Sequence, residues 1–364
     1  MHHLLEEIRR NPILWLLLFV PVVFVGQRIA PHAHTLLFFL SMLAIVPLAA
    51  LLSRATESVA AKTGDAVGGL LNATLGNLTE LIIALTALHA GQYMLVKASL
   101  AGAIVTNSLF MLGTSLLLGG LRYHTQEFNP ATARLQDVQL FVATIALLVP
   151  SALISADAAQ SADFTQTLSV CLGVLLIATY ALGLLFSLKT HPDLFAAAEE
   201  AEPGEATWPI GVAVGTLAAV TVLVGLTSEI FVESVQEAAV TLGMTPAFVG
   251  FIVVALAGGA AEMASAFSAA RKDRLDLSVS IALGSAAQIA LFVAPVLVLA
   301  SYVIGPAPMN LQFWPGAVVM MLIATLTASV VCSTGRAAWF IGVLVLTVYL
   351  IFAITLYLLP PTGP

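Results

Sequence analysis

Long apolar runs, separated by short polar breaks, recur along the whole 364-residue chain. A helix that crosses a bilayer needs about 20 apolar residues. Eleven runs qualify, near 12–28, 35–53, 64–90, 95–120, 136–156, 164–188, 208–230, 246–270, 276–303, 312–332 and 337–359. The basic residues between them alternate. Arg9, Arg10, Arg54, Lys62, Arg122, Arg134, Lys189, Arg271, Lys272, Arg274 and Arg336 share the side of the N-terminus and every second loop, and only Arg28 and Lys97 fall opposite. Cytoplasmic loops are the ones rich in Lys and Arg. The N-terminus is therefore expected in the cytoplasm and the C-terminus outside.

Composition narrows the class further. Hydrophobic residues make up 60% and charged residues 9% of the chain, against roughly a quarter charged in a soluble domain. The expected fold is an all-α polytopic membrane protein in the lipid bilayer. The net charge of −7 comes from acids clustered in loops. Without a basic face, no nucleic acid is expected as a partner. Cys171 and Cys332 stand alone in apolar runs and suggest neither a disulfide nor a thiolate metal site. The chain has no HExxH, GxSxG or P-loop pattern, so it is not expected to be an enzyme, and no cofactor is implied.

The apolar runs also repeat themselves. An offset of 182 relates Thr63 to Thr245, Val67 to Val249, Gly68 to Gly250, Gly76 to Gly258, Glu80 to Glu262, Gly102 to Gly284 and Phe110 to Phe292. One constant offset over such a stretch indicates an internal duplication. With the first run set aside, five runs remain in each copy. An odd number forces the copies into opposite orientations, an inverted-topology repeat. The expected organisation is an N-terminal helix and loop at 1–34, a first five-helix repeat at 35–188, a cytoplasmic acidic linker at 189–207 and a second five-helix repeat at 208–364. The linker carries Asp193, Glu199, Glu200, Glu202 and Glu205.

Each copy places one glutamate inside an otherwise apolar helix, and such a residue marks a functional site by default. Glu80 and Glu262 are expected to meet near the bilayer midplane. Gly76 and Gly258, four residues before them, let the helix open and turn a carbonyl toward the site. Asn77 shares the face of Glu80. Thr106 and Asn107 from the fourth helix, and Ser285 and Gln288 from the ninth, sit at matching depth. Two carboxylates with amide, hydroxyl and carbonyl oxygens suit a hard divalent cation such as Ca²⁺. No thiolate or imidazole lies at that depth, which disfavours Zn²⁺ and Cu. When the metal leaves, two bare carboxylates cannot stay ionised side by side in lipid, so protons take its place. Glu57, Glu229 and Glu233 are expected at the mouths, where they could guide ions.

The run Gly68-Gly69-Leu70-Leu71-Asn72-Ala73-Thr74-Leu75-Gly76-Asn77-Leu78-Thr79-Glu80 closely resembles the first signature of the cation/proton exchangers, within the calcium/cation antiporter superfamily. Gly258-Gly259-Ala260-Ala261-Glu262 with Leu283-Gly284-Ser285-Ala286-Ala287-Gln288 is similar to the second. The resemblance implies that Glu80 and Glu262 bind Ca²⁺ and carry protons, assisted by carbonyls around Gly76 and Gly258. It implies a Ca²⁺/H⁺ antiporter that exports cytoplasmic Ca²⁺ by alternating access. The short N-terminal tail, by the same resemblance, implies a prokaryotic plasma (inner) membrane. The family usually carries Asn after the second Gly and His after the second Glu; here they are Gly259 and Met263. Exchange of Na⁺ or K⁺ for H⁺, or of Mn²⁺ for H⁺, stays open on the same fold.

Overall fold

The computed structural model describes residues 7–8, 11–153, 162–192 and 208–358. Arg9, Arg10, Asp157 and residues 193–207 of the expected acidic linker lie outside the described residues. Among the described residues, nine helices are long and apolar enough to span a bilayer: α1 (Pro12–Ile29), α2 (His34–Ala60), α4 (Tyr93–Tyr123), α5 (Pro130–Ala152), α6 (Asp163–Thr190), α7 (Ile210–Thr241), α9 (Leu275–Ala300), α10 (Pro315–Cys332) and α11 (Trp339–Leu358). Two more spans are broken. In α3, Val67–Leu75 and Leu78–His89 meet at 44°; in α8, Pro246–Gly258 and Ala260–Arg271 meet at 59°. The eleven spans coincide in order and place with the eleven apolar runs.

Two spans outrun their expected ends. α2 continues past residue 53 because its polar last turns satisfy one another: Ser53 Oγ donates to Glu57 Oε1 at 3.2 Å and Arg54 pairs with Glu57 at 3.5 Å. α7 continues past residue 230 as an amphipathic helix. Glu229, Glu233 and Glu237 line its exposed side while Ile230, Phe231, Ser234, Val235 and Ala238 are buried. The apolar run ended there; the helix did not.

α1, α2 and α7 share one apolar core built on Leu14, Val23, Leu48, Leu52, Val220 and Val224. The long helices α2 and α7 lie along each other, with Phe38 stacked on Phe231 at 5.4 Å. A second, larger core takes side chains from α2 and from the end of α3 through to α11, α7 included. In it α4 meets α8 at very close range. A Cβ added at Gly250 would lie 2.6 Å from Ala98 Cβ, and one at Gly102 would strike the Phe251 main chain. Small residues let helix backbones approach this closely in lipid.

The duplication is visible in backbone detail. The breaks fall at Gly76-Asn77 and Gly258-Gly259, and Asn77 (φ −96°, ψ 29°) and Gly259 (φ −79°, ψ 6°) bend the chain alike. A π-helical stretch occupies Thr106–Met111 in α4 and Ile289–Val293 in α9. Such bulges collect at functional sites. The turns that follow α3 and α8 each contain a left-handed residue, Gly91 (φ 70°) and Asp273 (φ 62°), again 182 apart.

A two-stranded ribbon was not expected. β1 (Thr125–Glu127) pairs antiparallel with β2 (Arg336–Ala338), Gln126 opposite Ala337, tying the α4–α5 connection to the α10–α11 connection. Gln126, buried beneath it, donates to Ala270 O at 3.0 Å and Asp273 Oδ1 at 2.7 Å, which pins the turn after α8.

The α4–α8 contact gives a direct test of packing. Gly102→Val places branched carbon on the Phe251 main chain and should cost about 1–3 kcal/mol or more by overpacking. Gly215→Val, where nothing lies within 4 Å of an added Cβ, should leave stability nearly unchanged. Thermal unfolding in detergent separates them, and equal melting temperatures would contradict the packing.

Candidate ion site

Both glutamates occupy the third position of the helix that restarts after a break: Glu80 in Leu78–His89 and Glu262 in Ala260–Arg271. A helix N-terminus carries partial positive charge and unsatisfied N–H groups, which favour a carboxylate there. The breaks thus do two things at once. They bend the chain inside the bundle and aim a helix N-terminus at each acid.

The carboxylates belong to one site. Glu80 lies across the break of the other copy: the Cβ that Gly258 lacks would stand 3.1 Å from Glu80 Cγ and 3.4 Å from Oε1. Gly258 therefore leaves the room that Glu80 fills. Glu262 stands beside Glu80 and the Ser285 hydroxyl, and its Oε2 has no hydrogen-bond partner. Both side chains are half-buried.

A chain of polar side chains supports the pair. Asn107 Nδ2 donates to Ser285 Oγ at 2.8 Å, Ser285 Oγ to Asn77 Oδ1 at 2.9 Å, and Asn77 Nδ2 to Gln288 Oε1. Gln288 Oε1 lies 3.6 Å from the Cβ position of Gly76, and its buried Nε2 has no partner. Asn107 Oδ1 lies 3.6 Å from the Cβ position of Gly259, beside Met263 Cε at 3.2 Å. An amide from α4 thus stands next to the place where relatives of the resembled family carry an asparagine.

Of the residues singled out in the sequence, Glu80, Glu262, Gly76, Gly258, Asn77, Asn107, Ser285 and Gln288 come together. Thr106 is buried but meets Tyr349 Oη at 3.3 Å. The expected mouth acids stay apart from the pair. Glu57 is held by Ser53 and Arg54, and Glu229 and Glu233 lie on the exposed side of α7. Among the described residues no three His, Cys, Asp or Glu side chains gather. The donors on hand are two carboxylates with neutral oxygens, a set for hard cations rather than soft ones.

The site is unequally open on its two sides. Toward Ile83, Ser99 and Val254, a cleft beside Glu80 has a volume of only about 10 Å³, the room of about one water. The opposite side is loose. Asn72 is exposed there, with Val67 and Leu70. The residues equivalent to the tight Gly102–Phe251 contact do not meet: Gly284 faces Gln136 and Gly69 faces Leu188.

Sequence reasoning passed over Tyr180, whose hydroxyl donates to Ala73 O at 2.6 Å. A buried tyrosine must find a partner for its hydroxyl, and that was the available signal.

Comparison with known proteins identifies the family and the fold. The family described as sodium/calcium exchanger protein matches residues 33–189 and, separately, 212–358. A Ca²⁺/H⁺ antiporter of Synechocystis sp. is 41% identical over 361 residues, covering 95% of this chain and 96% of its own length. A Ca²⁺/H⁺ antiporter of Aphanothece halophytica is 39% identical over 360 residues, covering 95% and 96%. Among solved structures, the Ca²⁺/H⁺ antiporter YfkE superposes with a TM-score of 0.83 at 35% identity, covering 96% of this chain and 100% of its own.

Removing one link tests the polar chain. Ser285→Ala strands Asn107 Nδ2 and Asn77 Oδ1, both on buried side chains. Each lost partner costs about 1–3 kcal/mol. A clear drop in melting temperature is expected, with partial recovery in Ser285→Thr; an unchanged melting temperature would show that the chain is not coupled.

Proposed function

The chain belongs to the sodium/calcium exchanger family, and we propose that it is a Ca²⁺/H⁺ antiporter that exports cytoplasmic Ca²⁺, with Glu80 and Glu262 as the shared seat of metal and protons. One observation carries this reading: the Glu80 carboxylate lies against the break at Gly258, beside Glu262. Two relatives that match nearly the whole chain, at 39% and 41% identity, are Ca²⁺/H⁺ antiporters, which favours that ion pair over Na⁺ or K⁺ exchange.

Charge balance supplies the mechanism. A divalent cation cancels two carboxylates; two protons do the same. Either load leaves a neutral site, which can pass a low-dielectric barrier, whereas the bare pair cannot. The main-chain carbonyls near Gly76 and Gly258, with Asn77, Asn107, Ser285 and Gln288, complete the oxygen shell. Transport then requires the tight and loose sides of the site to exchange roles. In our reading the two five-helix copies run in opposite directions, so each can adopt the packing of the other. In the same reading the loose side, at Asn72, faces the cytoplasm and the membrane is a prokaryotic inner membrane.

Three outcomes are expected. In everted vesicles, ΔpH-driven ⁴⁵Ca²⁺ uptake should vanish in Glu80→Gln and in Glu262→Gln; near-normal uptake in either defeats the proposal. Protons and Ca²⁺ compete for the same oxygens, and metal binding releases protons. Where the pair is protonated, each unit fall in cytoplasmic-side pH should weaken apparent Ca²⁺ affinity about tenfold if one proton is displaced and about 100-fold if two are. A pH-independent affinity would contradict shared occupancy. Gly258→Ala should push Glu80 aside and weaken Ca²⁺ about tenfold, the low end of what disturbed ligand support costs a metal site. Unchanged uptake kinetics would show that the close approach is dispensable.

A further inference from the structure

The copies differ at their tyrosines in a way that their symmetry would forbid in a static protein. Tyr180 of α6 stacks on Phe292 at 5.3 Å, and Tyr349 of α11 packs on Phe110 at 5.2 Å. Phe110 and Phe292 are 182 residues apart, and both sit in the π-helical stretches. The two tyrosines therefore occupy equivalent seats, each against the other copy. Their hydroxyls do not behave alike. Tyr180 Oη donates to Ala73 O, one turn before the break in α3, at 2.6 Å. The equivalent carbonyl, 182 residues on, is Ala255 O. It receives the helical bond from Gly259 N at 3.1 Å, and Tyr349 Oη instead meets Thr106 Oγ1 at 3.3 Å. The bond matching Gly259 N→Ala255 O would be Asn77 N→Ala73 O, and among the described residues it is not made.

The pattern is reciprocal. Where a tyrosine holds the carbonyl, the backbone ladder is open across the break. Where the ladder is closed, the tyrosine is elsewhere. The open ladder is in α3, the span whose first half lines the loose side of the site; the closed one is in α8, whose first half is packed against α4. A backbone break needs a substitute donor when it lies inside a bundle without water, and the tyrosine hydroxyl is that donor for Ala73.

We propose that Tyr180 and Tyr349 are a reciprocal pair of positioning residues for exchange: Tyr180 holds α3 open in the conformation seen here, and Tyr349 takes Ala255 O to hold α8 open in the opposite one. Neither touches the transported ions. Each sets which side of the site is accessible. The proposal rests on the exchanger reading above, and on the copies trading conformations during the cycle. A purely structural role, in which each hydroxyl only satisfies itself, predicts loss of stability with no preference for either side.

The experiment reads accessibility from both faces. Two reporter variants, Asn72→Cys and the equivalent Val254→Cys, are made in a Cys171→Ser, Cys332→Ala background. A membrane-impermeant maleimide labels the first in everted vesicles and the second in right-side-out vesicles, during Ca²⁺-driven proton movement. Loss of one hydrogen bond corresponds to about a two- to tenfold change in population. Tyr180→Phe should lower labelling at position 72 by that factor and raise it at position 254. Tyr349→Phe should lower labelling at 254 and not at 72. Labelling that moves in the same direction in both variants, or by less than twofold in Tyr180→Phe, overturns the proposal. Should Tyr180→Phe fail to fold, Tyr349→Phe alone decides, and unchanged labelling at 254 overturns it. Wild-type vesicles that show no Ca²⁺-driven proton movement would sink the exchanger reading instead, so the two failures are distinguishable.

Discussion

Two acids brought together inside a bilayer cannot both stay charged without a partner, and the whole molecule is arranged around that constraint. Transfer of an isolated ionised carboxylate into an apolar medium costs many kcal/mol. Glu80 and Glu262 escape that cost only when metal or protons join them. Their environment is built for it: two helix N-termini, four neutral polar side chains and a glycine that lets one carboxylate reach the other break. A site that must always be neutralised, by either of two kinds of cation, is already most of an exchanger.

The fold supplies that neighbourhood by duplicating one device. A glycine-marked break interrupts a span, the helix restarts, and its first turn carries the acid. The device occurs twice but is not used alike: Glu80 leans on the break at Gly258, whereas Gly76 meets Gln288. The copies share bends, bulges and turns, yet they differ where movement is needed. α8 is packed tightly on α4 through Gly102 and Gly250, whereas the equivalent faces of α3 and α9 are parted. The asymmetry extends to the breaks themselves, where the backbone ladder is closed at Gly259 and open at Asn77, as expected of a protein caught in one of two alternating arrangements.

Much of this was legible from residues alone, because bilayers impose length and polarity rules that sequences cannot hide. The spans followed from apolar run length, and the acid pair from a constant offset. Asn77, Asn107, Ser285 and Gln288 were identifiable as polar residues at matching depth. Other features were not. The ends of α2 and α7 outlast their apolar runs because Ser53, Arg54 and Glu57 satisfy one another on the helix surface. Thr106 turns to Tyr349, since rotation within a π-helical stretch cannot be read from spacing. The ribbon between Gln126 and Ala337 is too short to show an alternating pattern. Tyr180 was passed over because its partner is a main-chain carbonyl, and carbonyls leave no mark in a sequence. Which side stands open is a property of a conformation, and both conformations share one sequence.

The central claim is that one pair of carboxylates holds either Ca²⁺ or protons. Calorimetric titration of purified protein with Ca²⁺, repeated in buffers of different ionisation enthalpy, counts the protons released per metal bound. At a pH where the pair is protonated, the account predicts close to two protons released per Ca²⁺ in the wild type. Binding of Ca²⁺ with no proton release at any pH would contradict it.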